Sequence, residues 1–268
     1  MSNLTVENNL KRSLDQLVGS PFDELKIATD QILKDTTQRS TCTTCNKTVK
    51  YFCYKCHTVV GMKRSEIPKV ELPVHLDVIK HQKELDGKST AIHAKIIAEG
   101  DVDIYTYPNI PEYEQPERTL LLFPGPDAKQ LSEIPRESFD RIVVIDGTWI
   151  QARQITNGTK ILQKMQRVTI APRKTHFWRF QAVDDFHLAT IEAIYYLYRE
   201  FGQTYQAPYN GNYDNLLFYY KFFYNLIQNR YQKEKTAKFS HRHQQKDYIK
   251  YTGDKKESEN SAVSEESK

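Results

Sequence analysis

Residues 141–151 read Arg141-Ile142-Val143-Val144-Ile145-Asp146-Gly147-Thr148-Trp149-Ile150-Gln151, and this stretch decides the predicted fold. It begins as a short apolar, β-branched run and ends in a carboxylate, a glycine, a hydroxyl and an indole. Asp and Gly disfavour strand interiors, so a buried strand must end at Asp146 and present the carboxylate at its C-terminal edge. Because parallel α/β sheets bind ligands at that edge, the pattern predicts an α/β enzyme.

The composition is typical of a folded, soluble protein. Of 268 residues, 39% are hydrophobic and 12% aromatic, enough for one large domain or one domain with an accessory module. A formal net charge of +4 indicates mild attraction to polyanions and by itself identifies no partner. No apolar run approaches the ~18 residues of a membrane span, and the start lacks the pattern of a secretory signal. We therefore expect an intracellular protein, nuclear or cytosolic, without a membrane partner and with no obligate protein partner.

All four cysteines of the chain lie within a short segment as two C-x-x-C pairs, Cys42 with Cys45 and Cys53 with Cys56. Each pair can direct two thiolates at one point, so residues 41–60 predict a closed, structural, four-thiolate zinc site. Disulfides or a redox pair are the alternatives, and a reducing compartment disfavours the disulfides. His57 could replace one cysteine, although its position beside Cys56 would strain the site. With four protein ligands, the predicted zinc is not catalytic.

The rest of the chain divides into three parts by its pattern. Residues 1–40 predict a polar segment followed by a helix from Ser20-Pro21 to about Lys34. Residues 66–231 predict an α/β domain that ends in two helices, one from about 188 to 201 and one from 212 to about 231. Residues 232–268 lack a hydrophobic pattern and predict a disordered charged tail, either solvated or in transient contact with RNA.

Five strands are predicted in the α/β domain, some with the turn that ends them: 70–79, 103–108, 119–126, 141–146 and 167–172. Ser89 is expected to cap the helix that runs through Ile97. Asp127 or Ser132 is expected to begin a short helix, and another helix should follow Trp149.

Three of the predicted strand ends should meet at one edge of the sheet: 123–125, 146–149 and 171–173. Gly125 and Gly147 would let backbone amides approach a ligand closely, although neither belongs to a phosphate-loop or dinucleotide motif. Asp146 could instead cap the following helix, and Trp149 could be a core residue.

A basic, aromatic run follows the last of these strand ends, at residues 173–179. Its cations can hold phosphates while its aromatic rings stack on an unpaired base. An amphipathic strand edge would have the same composition.

Asp146-x-Thr148-Trp149, together with Leu188-Ala189-Thr190-Ile191-Glu192-Ala193, resembles the DTW-domain family of tRNA-uridine aminocarboxypropyltransferases, particularly the first of its two eukaryotic branches. The likeness covers roughly residues 40–230 and includes 42–56, 67–70, 86–95, 105–108, 123–126 and 213–218. It implies a SPOUT-like parallel sheet with a C-terminal trefoil knot that binds S-adenosylmethionine. The implied reaction transfers the 3-amino-3-carboxypropyl group to N3 of a uridine in the tRNA D-loop, giving acp3U and methylthioadenosine.

The resemblance also implies roles for particular residues. Asp146, Thr148 and Trp149 are expected to be catalytic, Asp146 as a base or as an anchor for the uracil imide and Trp149 as a wall against the methyl group. The expected cofactor-binding residues are Phe123, Pro124, Gly125, Gly147, Trp149, Pro172, Leu188, Thr190 and Glu192, with Glu192 holding the amino group. The expected tRNA contacts are Arg173, Lys174 and Arg179 on phosphates, and Phe177 or Trp178 on a base.

Two other functions fit parts of the sequence. A SPOUT-like tRNA methyltransferase would use the same fold and cofactor but would transfer the methyl carbon. A non-enzymatic zinc-ribbon RNA-binding protein would account for the cysteines and the basic tail. The strand-end carboxylate between two glycine-bearing turns favours the enzyme.

Overall fold

The computed structural model describes residues 20–178 and 186–233, the last three by their backbone alone. The predicted polar start, Arg179 and almost all of the predicted tail lie outside these residues. Within them, no helix combines the length and the apolar character needed to cross a membrane.

The cysteine module comes first and consists of two small antiparallel hairpins. The first pairs β1 (Ser40–Thr41) with β2 (Thr48–Val49), and the second pairs β3 (Phe52–Cys53) with β4 (Thr58–Val59). Phe52 anchors the module, because its ring packs edge-on against His93 and Tyr219 in the main core.

A six-stranded, wholly parallel sheet forms the centre of the protein, which confirms the predicted parallel sheet and adds one short strand to the five predicted. Its strands are β5 (His75–Lys80), β6 (Val102–Thr106), β7 (Thr119–Leu122), β8 (Lys129–Gln130), β9 (Arg141–Asp146) and β10 (Gln166–Thr169). The spatial order is β6-β5-β9-β7-β10-β8, so the strand that ends at Asp146 lies centrally. Its residues Ile142, Val143 and Val144 are buried, as expected for a parallel strand covered on both faces. The trefoil knot stays a prediction.

Helices cover both faces of the sheet. They are α1 (Gln31–Asp35), α2 (Ala91–Ile97), α3 (Trp149–Gly158), α4 (Thr190–Tyr205) and α5 (Phe218–Lys233), with 3-10 turns at Arg64–Glu66, Pro116–Arg118, Leu131–Glu133, Arg136–Ser138, Leu162–Lys164 and Asp214–Leu217. On one face of the sheet, the buried side chains of α2, α4 and α5 pack with those of the cysteine module into a single hydrophobic core. Tyr195, Tyr198 and Tyr219 are fully buried there. Ile155 of α3 packs on the other face, against Val143.

Two predicted elements at the N-terminal side are shorter than expected. The first strand begins at His75, because Pro73 has no N–H for a sheet ladder. The predicted helix to Lys34 is wrong over most of its length, since only Gln31–Asp35 is helical. The preceding backbone instead donates hydrogen bonds to Asp214 and Asn215 across the core.

Two predictions further along the chain are also corrected. Strand β8 replaces the short helix predicted near Asp127, and Leu131–Glu133 is only a 3-10 turn. Helix α4 continues past Phe201 to Tyr205, whose hydroxyl donates to the carbonyls of Leu131 and Ile134. Those bonds hold the last turn of the helix on the core.

Candidate active site

A cavity of about 230 Å³ opens at the C-terminal ends of β7, β9 and β10. Residues 122–124, 144–147 and 168–173 supply its three strand-end walls, although Asp146 itself is not among the lining residues. Trp149, Phe186, Leu188 and the start of α4 complete it. The predicted convergence of three strand ends is therefore confirmed.

Most of the predicted cofactor-binding residues lie in this cavity. The lining includes Phe123, Pro124, Gly147, Trp149, Pro172, Leu188 and Thr190. Gly125 and Glu192 are not part of the lining. The walls are mainly apolar, so the cavity suits a ligand with aromatic and thioether groups better than a phosphate.

Asp146 lies behind the cavity wall, with 2% of its surface exposed. Ser89 Oγ donates a hydrogen bond of 2.6 Å to Oδ2, and Thr190 Oγ1 donates one of 2.5 Å to Oδ1. Burial raises the pKa of Asp146, while the two hydroxyls and the nearby Lys80 act in the opposite direction. Thr190 connects this carboxylate to the cavity, because it is a lining residue whose hydroxyl bonds Asp146.

Thr148 and Trp149 begin helix α3. Thr148, and not Asp146, is the N-cap: its hydroxyl accepts from the N–H of Gln151, and its own N–H donates to Gln151 Oε1 at 2.8 Å. This capping box turns Trp149 into the cavity mouth, where its ring centroid lies 5.9 Å from Phe123 and 4.8 Å from His187. Trp149 is half-buried, which fits a wall residue better than a core residue.

Glu192 closes a loop and does not face the cavity. Its buried carboxylate accepts hydrogen bonds from the Thr175 hydroxyl at 2.5 Å, from His176 N at 2.7 Å and from Ala189 N at 2.8 Å. Burial raises the pKa of Glu192, and these donors oppose the shift. The predicted contact with a cofactor amino group has no support in this geometry, because three protein donors occupy the carboxylate. Glu192 joins the segment after β10 to the start of α4.

The two glycines of the strand ends have protein neighbours. A Cβ on Gly125 would lie 2.4 Å from a guanidinium nitrogen of Arg167, so that space belongs to a side chain rather than a ligand. A Cβ on Gly147 would meet the side chains of His81 and Gln151 at 3.2 Å or less. Gly147 thus allows β9 to end against the loop after β5 while its backbone still lines the cavity.

The basic, aromatic run 173–178 is more structural than predicted. Trp178 is buried against Tyr220, at a ring-centroid distance of 5.1 Å, and is not available to an RNA base. Arg173 bonds Glu200 at 3.1 Å and lies over the ring of Tyr196. Lys174 is exposed, and Phe177 is half-buried.

Two residues at the site were not predicted to be functional. Ser89 contacts Asp146 across 57 positions of sequence, and no local pattern could indicate that pairing. Phe186 lines the cavity with 54% of its surface exposed. Its signal in the sequence is an aromatic side chain just before the family motif at 188–193.

The four cysteines meet at one point. Their sulfur atoms all lie within 4.8 Å of one another, and those of Cys45 and Cys53 are 3.5 Å apart. A tetrahedral zinc site with Zn–S bonds of about 2.3 Å places its sulfurs about 3.8 Å apart, so the set fits that ion. His57 is not part of the cluster.

The two cysteine pairs repeat one local structure. In each, the N–H of the residue directly after the second cysteine donates to the carbonyl of the first and closes a tight turn, or knuckle: Asn46 to Cys42 at 2.9 Å and His57 to Cys53 at 2.8 Å. Asn46 and His57 both have a positive φ, 57° and 55°. His57 therefore completes the second knuckle through its backbone and is not needed as a ligand.

These features define a parallel α/β protein with a binding cavity at its C-terminal strand ends and a separate four-cysteine module. Comparison with known families matches residues 50–228 to the DTW domain. The chain belongs to the DTW-domain family, as its motifs predict.

Curated relatives share most of the chain. The tRNA-uridine aminocarboxypropyltransferase 1 of Mus musculus is 37% identical over 257 residues, covering 78% of this chain and 84% of the relative. The protein of the same name from Homo sapiens is 34% identical over 272 residues, covering 84% and 89%. These relatives are named as enzymes that transfer an alkyl group other than methyl.

A weaker likeness links the chain to a solved structure, the SAM-dependent rRNA:acp-transferase Tsr3 from Vulcanisaeta distributa. The TM-score is 0.38 and the identity 18%, with 60% of this chain and 82% of that chain covered.

Proposed function

We propose that this protein is a tRNA-uridine aminocarboxypropyltransferase. It transfers the 3-amino-3-carboxypropyl group of S-adenosylmethionine to N3 of a D-loop uridine, forming acp3U and releasing methylthioadenosine. The observation that carries the proposal is the position of the family signature at a cavity formed by three strand ends: Trp149 lines the cavity, Thr148 caps the helix that carries Trp149, and Asp146 is buried behind the wall. The names of the relatives supply the transferred group and the substrate.

The cavity fits S-adenosylmethionine by its chemistry. Its apolar walls suit the adenine and the thioether carbons, and the indole of Trp149 suits a positively charged sulfur. When bound, the co-substrate supplies carbons that the positive sulfur makes electrophilic. Phe123 and Pro124 on one side and Leu188 on the other would hold it.

Trp149 decides which carbon reacts. Its ring is fixed by the α3 capping box and by Phe123, so it can confine the methyl group on one side of the sulfur. With the methyl group held there, the open side of the cavity would be left for the aminocarboxypropyl chain and the uracil. Holding the two reacting atoms in line supplies much of the rate enhancement.

Thr190 and Asp146 take the proton from uracil N3. Because the Thr190 hydroxyl donates its own proton to Asp146, its lone pairs remain to accept from a group in the cavity. The N3 proton can pass to Thr190 while the Thr190 proton passes to Asp146, whose pKa burial raises. N3 then bonds to the chain carbon, the carbon–sulfur bond breaks, and sulfur keeps the electron pair. Asp146 acts through Thr190 rather than on the substrate directly.

We assign the RNA contacts near the cavity to Lys174 and Phe186. Lys174 is exposed beside the cavity wall and can pair with a phosphate. Arg179 lies outside the described residues, and its contact with a phosphate rests on the family resemblance alone. Phe186 is the exposed aromatic ring at the mouth, and we assign to it the stacking that the sequence suggested for Phe177 or Trp178. Arg173 holds the strand end through Glu200.

We further propose that Cys42, Cys45, Cys53 and Cys56 bind a structural zinc ion. The support is their common meeting point and the two matching knuckles. The ion would close the module and leave no open position for catalysis.

The function is tested by incubating the purified protein with unmodified tRNA and S-adenosylmethionine, then identifying the modified nucleoside by mass. A uridine carrying an aminocarboxypropyl group is expected, with methylthioadenosine as the second product. A methylated nucleoside with S-adenosylhomocysteine would instead indicate a methyltransferase. tRNA binding without any product would indicate a non-enzymatic RNA-binding protein.

A further inference from the structure

The cysteine module is free of acidic residues. No Asp or Glu lies between Asp35 and Glu66. The chain has 34 acidic residues among 268, so about four would be expected in a stretch of that length. The same stretch carries six cationic residues: Arg39, Lys47, Lys50, Lys55, Lys63 and Arg64. A four-thiolate zinc centre has a net charge of −2, so the module keeps an excess of positive charge.

Some of these cations have structural partners and others do not. Arg64 pairs with Glu99 at 3.3 Å, and the ammonium of Lys50 lies 5.1 Å from the ring centre of Tyr51. Lys47, Lys55 and Lys63 are exposed, and none of them forms an ion pair with any residue in 20–178 or 186–233. Unpaired like charges on one small module repel each other, which favours an anion from outside the chain.

The module packs against the helix whose preceding loop contacts Asp146. Phe52 of the module lies at a ring-centroid distance of 5.8 Å from His93 of α2. Ser89, in the loop just before α2, donates a hydrogen bond to Oδ2 of Asp146. The module is therefore next to the element that holds Asp146 behind the cavity wall. Its hairpins are fixed there by Phe52, which packs between α2 and α5.

We infer that the cysteine module, together with the turn that begins at Lys63, is a second RNA-binding surface, on which Lys47, Lys55 and Lys63 contact the phosphate backbone of the tRNA whose uridine occupies the cavity. This inference rests on the proposed function for the identity of the RNA. Compact cations on a rigid support bind phosphates without reading sequence, which suits a docking surface that positions a substrate.

The absence of exposed apolar residues favours RNA over a membrane or a protein partner. Within the described ranges, the large exposed apolar side chains are Leu85, Ile150, Phe186 and Leu226, and none of these belongs to the module. Interfacial membrane binding would need an apolar face to insert, and a protein interface would need an apolar core. Phosphate binding needs neither.

The test uses the full chain with Lys47→Ala, Lys55→Ala and Lys63→Ala combined, and measures tRNA affinity over a range of salt concentrations. The matched control replaces three exposed lysines that lie away from the module. Lys129→Ala is at the far edge of the sheet, and Lys160→Ala and Lys164→Ala are on the face opposite the module. Both variants should keep the wild-type melting temperature and zinc content, because the six side chains are exposed. Single Lys55→Ala repeats the test with the smallest disturbance of the module.

The module variant should bind tRNA about tenfold or more weakly at ~0.1 M salt, and its salt slope should fall by about 2–3 relative to wild type. At saturating tRNA, its kcat should equal that of the wild type. Equal affinity and slope in wild type and module variant, or an equal loss in the control variant, would overturn the inference. So would tighter binding to vesicles rich in phosphatidylserine than to tRNA. If the wild type binds tRNA through these lysines but forms no modified uridine, only the proposed function fails.

Discussion

The hydroxyl of Thr190 donates a hydrogen bond of 2.5 Å to Oδ1 of Asp146 and so joins the first residue of α4 to the last residue of β9. Ser89 holds the other carboxylate oxygen from the loop before α2. Three separate segments thus meet at one buried carboxylate immediately behind the cavity. Under the proposed function, this contact relays a proton from the cavity to a carboxylate that does not line it.

Replacing Asp146 with Asn tests the proton path. Asn offers an amide in place of a carboxylate and cannot take a proton from Thr190, so kcat should fall by about 10²–10⁴. Binding of S-adenosylmethionine, measured by calorimetry, should change little, because Asp146 is not part of the lining. A kcat near that of the wild type would exclude Asp146 as the acceptor of the proton.

Two changes at Thr190 separate its hydroxyl from its shape. Thr190→Ser keeps the hydroxyl and should keep kcat within about tenfold of wild type, whereas Thr190→Val keeps the volume and should lose activity as Asp146→Asn does. Steady-state kinetics at saturating tRNA gives the comparison. If Thr190→Val and Thr190→Ser had the same kcat, the hydroxyl would have no part in the reaction.

Replacing Ser89 should change the pH dependence of activity, because its hydrogen bond influences the pKa of Asp146. A proton acceptor must be ionised, so kcat/KM should rise with pH through the pKa of Asp146, which burial raises above its ordinary value. The bond from Ser89 opposes that rise. Ser89→Ala should therefore move the acid limb of the profile to higher pH. Ser132→Ala, an exposed hydroxyl far from Asp146, is the control, and coincident limbs in all three proteins would contradict the assignment.

Replacing Trp178 should mainly lower folding stability, whereas replacing Phe186 should mainly weaken tRNA binding. Trp178→Ala leaves a cavity beside Tyr220 and should lower the free energy of unfolding by about 3–5 kcal/mol. Phe186→Ala should change the free energy of unfolding much less than Trp178→Ala, because 54% of Phe186 is exposed, but should weaken tRNA binding by about 1–3 kcal/mol through lost base stacking. Denaturant unfolding and tRNA binding assays decide between them. Unchanged tRNA affinity in Phe186→Ala would show that the uracil stacks elsewhere.

The cysteine module should contain one zinc ion per chain by elemental analysis. Cys53→Ser removes a fully buried ligand and should lose the ion and lower the melting temperature, since metal binding and folding of such modules are coupled. His57→Ala is the matched control and should keep the zinc, because His57 completes its knuckle through the backbone. Zinc loss in His57→Ala, or its retention in Cys53→Ser, would show a different ligand set.

Local pattern predicted the parts of the fold that depend on neighbouring residues. The bounds of β9 are those expected, because the apolar run and the polar turn that ends it are adjacent in sequence. The cysteine cluster followed in the same way from two spaced pairs. By contrast, the contact between Ser89 and Asp146 depends on strand order, which brings β5 beside β9.

The role of Trp178 could not be predicted for a similar reason. A ring between cations looks exposed in the sequence, and only the position of α5, which supplies Tyr220, shows that it is buried. The sequence resemblance predicts a cofactor-binding role for Glu192, whereas in the structure three backbone and side-chain donors occupy its carboxylate. Both depend on tertiary contacts across the loop that connects β10 to α4.

The identity of the transferred carbon distinguishes the proposed reaction from methyl transfer. The purified protein and unmodified tRNA are incubated with S-adenosylmethionine labelled with one isotope in its methyl carbon and another in its aminocarboxypropyl chain. We expect the chain label to enter the tRNA and the methyl label to leave with methylthioadenosine. Methyl label in the tRNA, with the chain label remaining on S-adenosylhomocysteine, would contradict the proposed reaction.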